Sequence, residues 1–203
     1  MKTRVIIFAA VSALLLFSFP SFSQVKGKQA LSLKWSVIED CGYTIKGYPV
    51  SNMMDGNPAT TWAGCLDYVE EDGTKIFDDS LVYGDIPLGF KIKVQGSKVR
   101  YLTITAGYAK SSTAFRNNSA PTSIAIYDGR CRINDGGEFI DKDGNQAEPV
   151  VVKDLARSME SQIVDLGAGI DTDTLWFIIL DIDRGTKYND LCISEIAFYG
   201  QRQ

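Results

Sequence analysis

The chain has 203 residues, 45% of them hydrophobic, with 21 Lys and Arg against 25 Asp and Glu for a formal net charge of −4. That acidic balance argues against a nucleic-acid partner or an anionic membrane surface. The chain contains no histidine, which excludes Ser-His-Asp and Cys-His catalysis and most catalytic zinc sites. An enzyme built here would have to use carboxylates, Lys, Tyr or Cys.

Lys2 and Arg4 lead into the 13 mostly apolar residues VIIFAAVSALLLF, the pattern of a signal peptide. The run is too short to span a bilayer, and Ser21 and Ser23 supply small residues for cleavage before Gln24. The expectation is a signal peptide over 1–23 and one mature domain over 24–203, secreted or held in the periplasm or at the cell surface. No cysteine sits at the junction to take a lipid. Losing Lys2 and Arg4 takes the formal charge from −4 to −6. Outside the cytoplasm, Cys41, Cys65, Cys131 and Cys192 allow three disulfide connectivities. A Cys41–Cys65 staple and four buried free thiols are both open.

The first distinctive stretch is VSNMMDGNPATTWAG at 50–64. Asp55-Gly56 can form a turn in which the carboxylate accepts backbone N–H groups and Pro58 fixes the exit, with Trp62 in the core. The same turn can instead aim carbonyls, the Asp55 carboxylate and the Thr60 hydroxyl at one point, a hard-oxygen set suited to Ca²⁺. Such a cage wants a second carboxylate. Glu195 is the outstanding choice, because it sits in the apolar segment CISEIAFYG (192–200), where an inward carboxylate is costly unless paired or metal-bound.

Residues 64–87 hold Asp67, Glu70, Glu71, Asp72, Asp78 and Asp79, which reads as a solvated acidic loop. LGFKIKV (88–94) then alternates apolar and polar residues with period two, and VRYLTITAG (99–107) continues the β pattern. TAGYAKSSTAFRNNSAP (105–121) is dense in aromatic, amide, hydroxyl and cationic groups, the set a sugar site uses; a self-packed loop is the other reading. Asn117-Asn118-Ser119 also fits an N-glycosylation sequon. TSIAIYDG (122–129), VVVKDL (150–155), SQIVDLG (161–167) and TLWFIILDI (174–182) are further strands. Between them, Asp141, Asp143 and Asn145 suggest a calcium loop but fail the EF-hand spacing. Asp181 and Asp183 are the carboxylate pair to consider for a glycosidase, with a salt bridge to Arg184 or Lys187 as the plainer account. No segment after the signal peptide reads as a three-turn amphipathic helix. The fold class is therefore all-β, an antiparallel sandwich.

Three segments together resemble a known family. VSNMMDGNPATTW resembles the D-G-N-x-x-T-x-W corner of galactose-binding-like sandwiches, which include discoidin or coagulation-factor type C domains and carbohydrate-binding modules. ITAGYAKSSTAFRNNSAPTSIAIYDG and GTKYNDLCISEIAFYG resemble the NADase-type glycan-binding branch of that fold. Order and spacing agree over roughly 35–200, with Ala106 and Ala120 standing where the branch usually has Asn and Arg. The resemblance implies a jelly-roll β-sandwich of two antiparallel sheets, without catalysis, binding a glycan or glycoconjugate. It also implies a structural Ca²⁺ held by the carboxylates of Asp55 and Glu195, the Thr60 hydroxyl and the carbonyls of Asn52 and Asn57. Tyr108, Lys110, Phe115 and Asn117 become the expected ligand residues. A structural domain that contacts a surface protein is the competing expectation.

Overall fold

The computed structural model describes residues 30–201 apart from 43, 70–74, 78–80, 84–85 and 97, with only the backbone described at 67–69, 75–77 and 82–83. The expected signal peptide and Glu70, Glu71, Asp72, Asp78 and Asp79 of the acidic loop lie outside these residues.

Ten described strands build the sandwich: β1 (Leu31–Leu33), β2 (Trp35–Asp40), β3 (Trp62–Cys65), β4 (Gly89–Val94), β5 (Lys98–Ala106), β6 (Ala120–Asp128), β7 (Val151–Asp154), β8 (Gln162–Ile170), β9 (Thr174–Asp183) and β10 (Asp190–Gln201). One five-stranded sheet runs β1-β10-β5-β8, with β3 also on β10; the other runs β7-β6-β9-β4-β2. All of these pairings are antiparallel. The fold is the expected all-β sandwich, and its one described α-helix, α1 (Ser112–Asn117), has six residues. The strands 88–94, 99–107, 122–129 and 174–182 fall where the sequence pattern places them, whereas β1, β2 and β3 were missed.

Alternation explains the core. In β4, Phe90, Ile92 and Val94 are fully buried, while Lys91 and Lys93 face out. Leu102 and Ile104 of β5 and Ile124 and Ile126 of β6 join them between the sheets. The unbroken run LWFII in β9 has a different cause: Leu175, Phe177 and Ile179 enter the main core, and Trp176 and Ile178 enter a second cluster on the outer face. That cluster is closed by the excursion after β6, where Phe139 stacks on Tyr127 at 4.1 Å and meets Trp176 edge-on at 5.5 Å. A central strand covered on both faces reads as continuously apolar.

Cys41, Cys131 and Cys192 carry free thiols. Burial pushes the Cys192 thiol up to about 12 and that of Cys41 to about 11, so both stay protonated and unreactive near neutral pH.

Candidate functional site

The corner at 50–64 begins with a single 3₁₀ turn, Val50–Met53. Met53 and Trp62 are fully buried beneath it. Trp62 packs edge-on against Phe90 at 4.8 Å, and its indole N–H donates to Thr44 Oγ1 at 2.8 Å. A Cβ on Gly64 would sit 2.6 Å from the Trp62 ring, so the indole takes the space that a side chain there would fill.

Above Trp62 the oxygens converge. Thr60 Oγ1 lies 2.9 and 3.1 Å from the two Asp55 carboxylate oxygens, 2.7 Å from the Asn57 carbonyl and 3.5 Å from that of Asn52. One hydroxyl proton serves only one of those acceptors. The amide side chains are engaged elsewhere, since Asn52 Nδ2 donates to Thr61 O at 2.8 Å and Asn57 Oδ1 accepts from Ala59 N at 3.1 Å. Their carbonyls, not their side chains, therefore face the centre.

Glu195 completes the group for a topological reason. The start of β10, Asp190 to Ile193, pairs with β3, and Glu195 to Gln201 pairs with β5. Across that change of partner the core-facing positions shift from Leu191 and Ile193 to Ile196 and Phe198, leaving Glu195 at the junction. Burial, then the neighbouring Asp55 carboxylate, pushes the Glu195 carboxyl up to about 7, against N–H groups of Asn57 and Gly56 that favour its charge. Glu195 Oε1 is buried with no hydrogen-bond partner. Asp55 is shifted the other way: burial raises its pKa, but the hydrogen bonds from the Asn57 N–H and the Thr60 hydroxyl outweigh it and hold it low. Two carboxylates, one with an orphaned buried oxygen, beside two carbonyls and a hydroxyl fit a hard cation. Among the described residues no group of three or more His, Cys, Asp or Glu that could hold a metal ion is present; the groups at this corner are two carboxylates, two carbonyls and one hydroxyl.

The four expected ligand residues divide into two pairs. Gly107 turns the chain out of β5 with φ +86°, and a Cβ there would lie 2.7 Å from the Phe115 ring. The turn is pinned by Ser194, which donates to Gly107 O and accepts from Ala109 N, both at 2.9 Å. It presents Tyr108 edge-on to Tyr48 at 6.2 Å, with Lys110 exposed beyond. Phe115 and Asn117 are instead used internally. The Arg157 guanidinium stands 5.1 Å over the Phe115 ring and donates to Phe115 O at 3.0 Å, Asn118 O at 3.2 Å and Asp183 O at 2.9 Å. Asn117 Oδ1 accepts from Thr186 Oγ1 at 3.2 Å, and its carbonyl accepts from Lys187 N and Tyr188 N. Tyr48, Arg157 and Ser194 were missed as contributors to this end. Only the aromatic in KGYPV marked Tyr48 in the sequence.

The remaining acidic groups have ordinary roles. Asp183 pairs with Arg157 at 3.0 Å, a cation that the sequence did not suggest for it. Asp181 Oδ1 accepts from Ile182 N at 2.8 Å. Asp141 Oδ1 accepts from Asp143 N and Asn145 N at 2.8 and 2.9 Å, which is an Asx-type turn.

Comparison with known proteins gives the family. The model described as NAD glycohydrolase translocation F5/8 type C domain matches residues 83–199, more than half of the 203-residue chain. The chain belongs to this family. Among solved structures it is similar to the family 32 carbohydrate-binding module of Streptococcus pneumoniae EndoD, with a TM-score of 0.55 and 12% identity over 85% of this chain and 99% of that one. It is also similar to an F5/8 type C domain from Bacteroides fragilis, with a TM-score of 0.49 and 13% identity over 87% and 100%. A third similar structure is the family 32 module of Clostridium perfringens NanJ, solved in complex with galactose, with a TM-score of 0.46 and 18% identity over 84% and 98%. At these identities the likeness to solved structures speaks for the fold alone. No curated protein matches. The F5/8 type C membership gives a galactose-binding-like jelly roll and a carbohydrate-binding or interaction module. The match starts at residue 83, after the D-G-N corner, which the family assignment therefore leaves to the geometry above. No helix among the described residues is long and apolar enough to cross a membrane.

Proposed function

We propose that this F5/8 type C domain is a secreted, non-catalytic glycan-binding module whose D-G-N corner holds a structural Ca²⁺. The observation that carries the binding reading is the pair of tyrosines, Tyr48 and Tyr108, brought together at 6.2 Å from segments 60 residues apart, with exposed Lys110 beside them. Flat rings take the C–H face of a sugar and nearby polar groups take its hydroxyls. The cation would be held by Asp55, Glu195, Thr60 Oγ1 and the carbonyls of Asn52 and Asn57. It would supply charge to a corner that otherwise sets two carboxylates against each other, and so fix the first corner to the last strand.

On a glycan array the protein is expected to be retained on a subset of glycans. Tyr108→Ala is expected to lower that retention roughly tenfold, since a stacked aromatic contributes on the order of 1–2 kcal/mol. Binding to no glycan would overturn this reading in favour of a protein-interaction domain that contacts a surface partner. Turnover of a polysaccharide that is lost in Asp181→Asn or Asp183→Asn would overturn the non-catalytic part.

A further inference from the structure

Basic residues are gathered around the tyrosine pair, with Asp183 and Asp190 at the margins of the group. Residues 44–49, 107–119 and 184–189 contain Lys46, Lys110, Arg116, Arg184 and Lys187 and no Asp or Glu, in a chain whose acidic residues outnumber its basic ones 25 to 21. The fold brings these segments together. Tyr48 meets Tyr108 at 6.2 Å, Thr186 N donates to Arg116 O at 3.0 Å, and Lys187 N and Tyr188 N donate to Asn117 O.

Elsewhere several cations have partners: Lys91 with Glu39, Lys93 with Asp173, Lys98 with Asp171, Arg130 with Asp128 and Lys142 with Asp143; the exposed Lys34, Arg132 and Lys153 stand outside these pairs, each on a different segment. Among the described residues, no ion pair forms at Lys46, Lys110, Arg116 or Lys187, and all four are exposed. The nearby Asp183 cannot offset them, because Arg157 already holds it at 3.0 Å. Collected like charges repel one another in the free protein, and an anionic ligand relieves that repulsion while gaining charge-assisted hydrogen bonds.

We propose that the ligand taken at this end is an acidic glycan, in which a carboxylate or sulfate group meets Lys110 and Lys187 while a sugar ring lies against Tyr48 or Tyr108. This rests on the glycan reading above and narrows its ligand class. The net negative charge of the rest of the molecule works against nucleic acid, whose long phosphate track needs a basic surface along its whole length.

The test is an array in which neutral glycans stand beside their sialylated, uronic-acid and sulfated counterparts, with single-stranded DNA as a polyanion control. Acidic members are expected to bind at least about tenfold more tightly than their neutral parents. That gap should shrink as NaCl is raised from about 50 to about 500 mM. Lys187→Ala, with a melting temperature equal to wild type, should weaken the acidic glycans about tenfold and leave neutral ones unchanged, and Lys110→Ala should weaken acidic glycans more than neutral ones. The arms for carboxylate and sulfate decide which group is taken. Equal binding of neutral and acidic partners would overturn the acidic-glycan proposal and leave the glycan reading standing. Equal retention of DNA would overturn it in favour of a general polyanion surface, and binding to no glycan would remove both readings.

Discussion

Arg157 shows how one side chain holds the binding end. Its fork reaches three carbonyls and the Asp183 carboxylate while its plane covers the Phe115 ring. It thereby ties α1 and the loop after it to the end of β9. Removing it as Arg157→Ala is expected to cost about 2 kcal/mol in urea denaturation. Arg157→Lys should recover less than half of that, because an ammonium cannot reproduce the planar fork. A loss below about 0.5 kcal/mol would place the pair among ordinary surface ion pairs. This role was not legible in the sequence. The partners Phe115, Asn118 and Asp183 are far from Arg157 in the chain, and nearness alone suggested Arg184 or Lys187. Phe115 and Asn117 read as ligand residues because aromatic and amide groups serve a sugar site and a packed loop equally well. The difference lies in contacts made by residues 157 and 186–188.

At the scale of elements, the corner and β10 depend on one another. The D-G-N pattern could be read directly, since Asp-Gly, Pro and Thr each have a turn role with a stated geometry. Glu195 could be singled out as a carboxylate within an apolar run. The reason it can be tolerated there, the change of partner from β3 to β5, is a matter of sheet topology that no local pattern carries. Without a cation, the folded state holds the Glu195 proton more tightly than the unfolded chain does, its pKa being about 7 against an ordinary 4.5. The stability from this group is present below the unfolded pKa and is lost as pH rises through about 7. In EDTA, wild type is therefore expected to melt at a lower temperature near pH 8 than near pH 5.5, relative to Glu195→Gln. Calcium should cancel that loss by stabilising both ionised carboxylates, and should raise the melting temperature of wild type but not of Asp55→Ala. Identical melting curves with calcium and with EDTA would contradict the cation assignment.

For the whole molecule, the alternation in β4 together with the β-branched and aromatic segments of β5 and β6 was enough to predict a sandwich. β9 required more: its unbroken apolar run is explained only when the 129–149 excursion is seen to cover Trp176 and Ile178. The short strands β1 and β3, of three and four residues, gave too little alternation to recognise. The described sandwich offers a second, half-buried aromatic pair, the stacked Tyr101 and Tyr199 at 4.7 Å on the outer face of the β10 sheet. Location is thus what most directly tests the account. Nitrogen-labelled protein titrated with its best array glycan should show amide shifts clustered at residues 44–48, 107–110 and 186–188. Shifts centred on Tyr101 and Tyr199 instead, with the three loops unchanged, would contradict it.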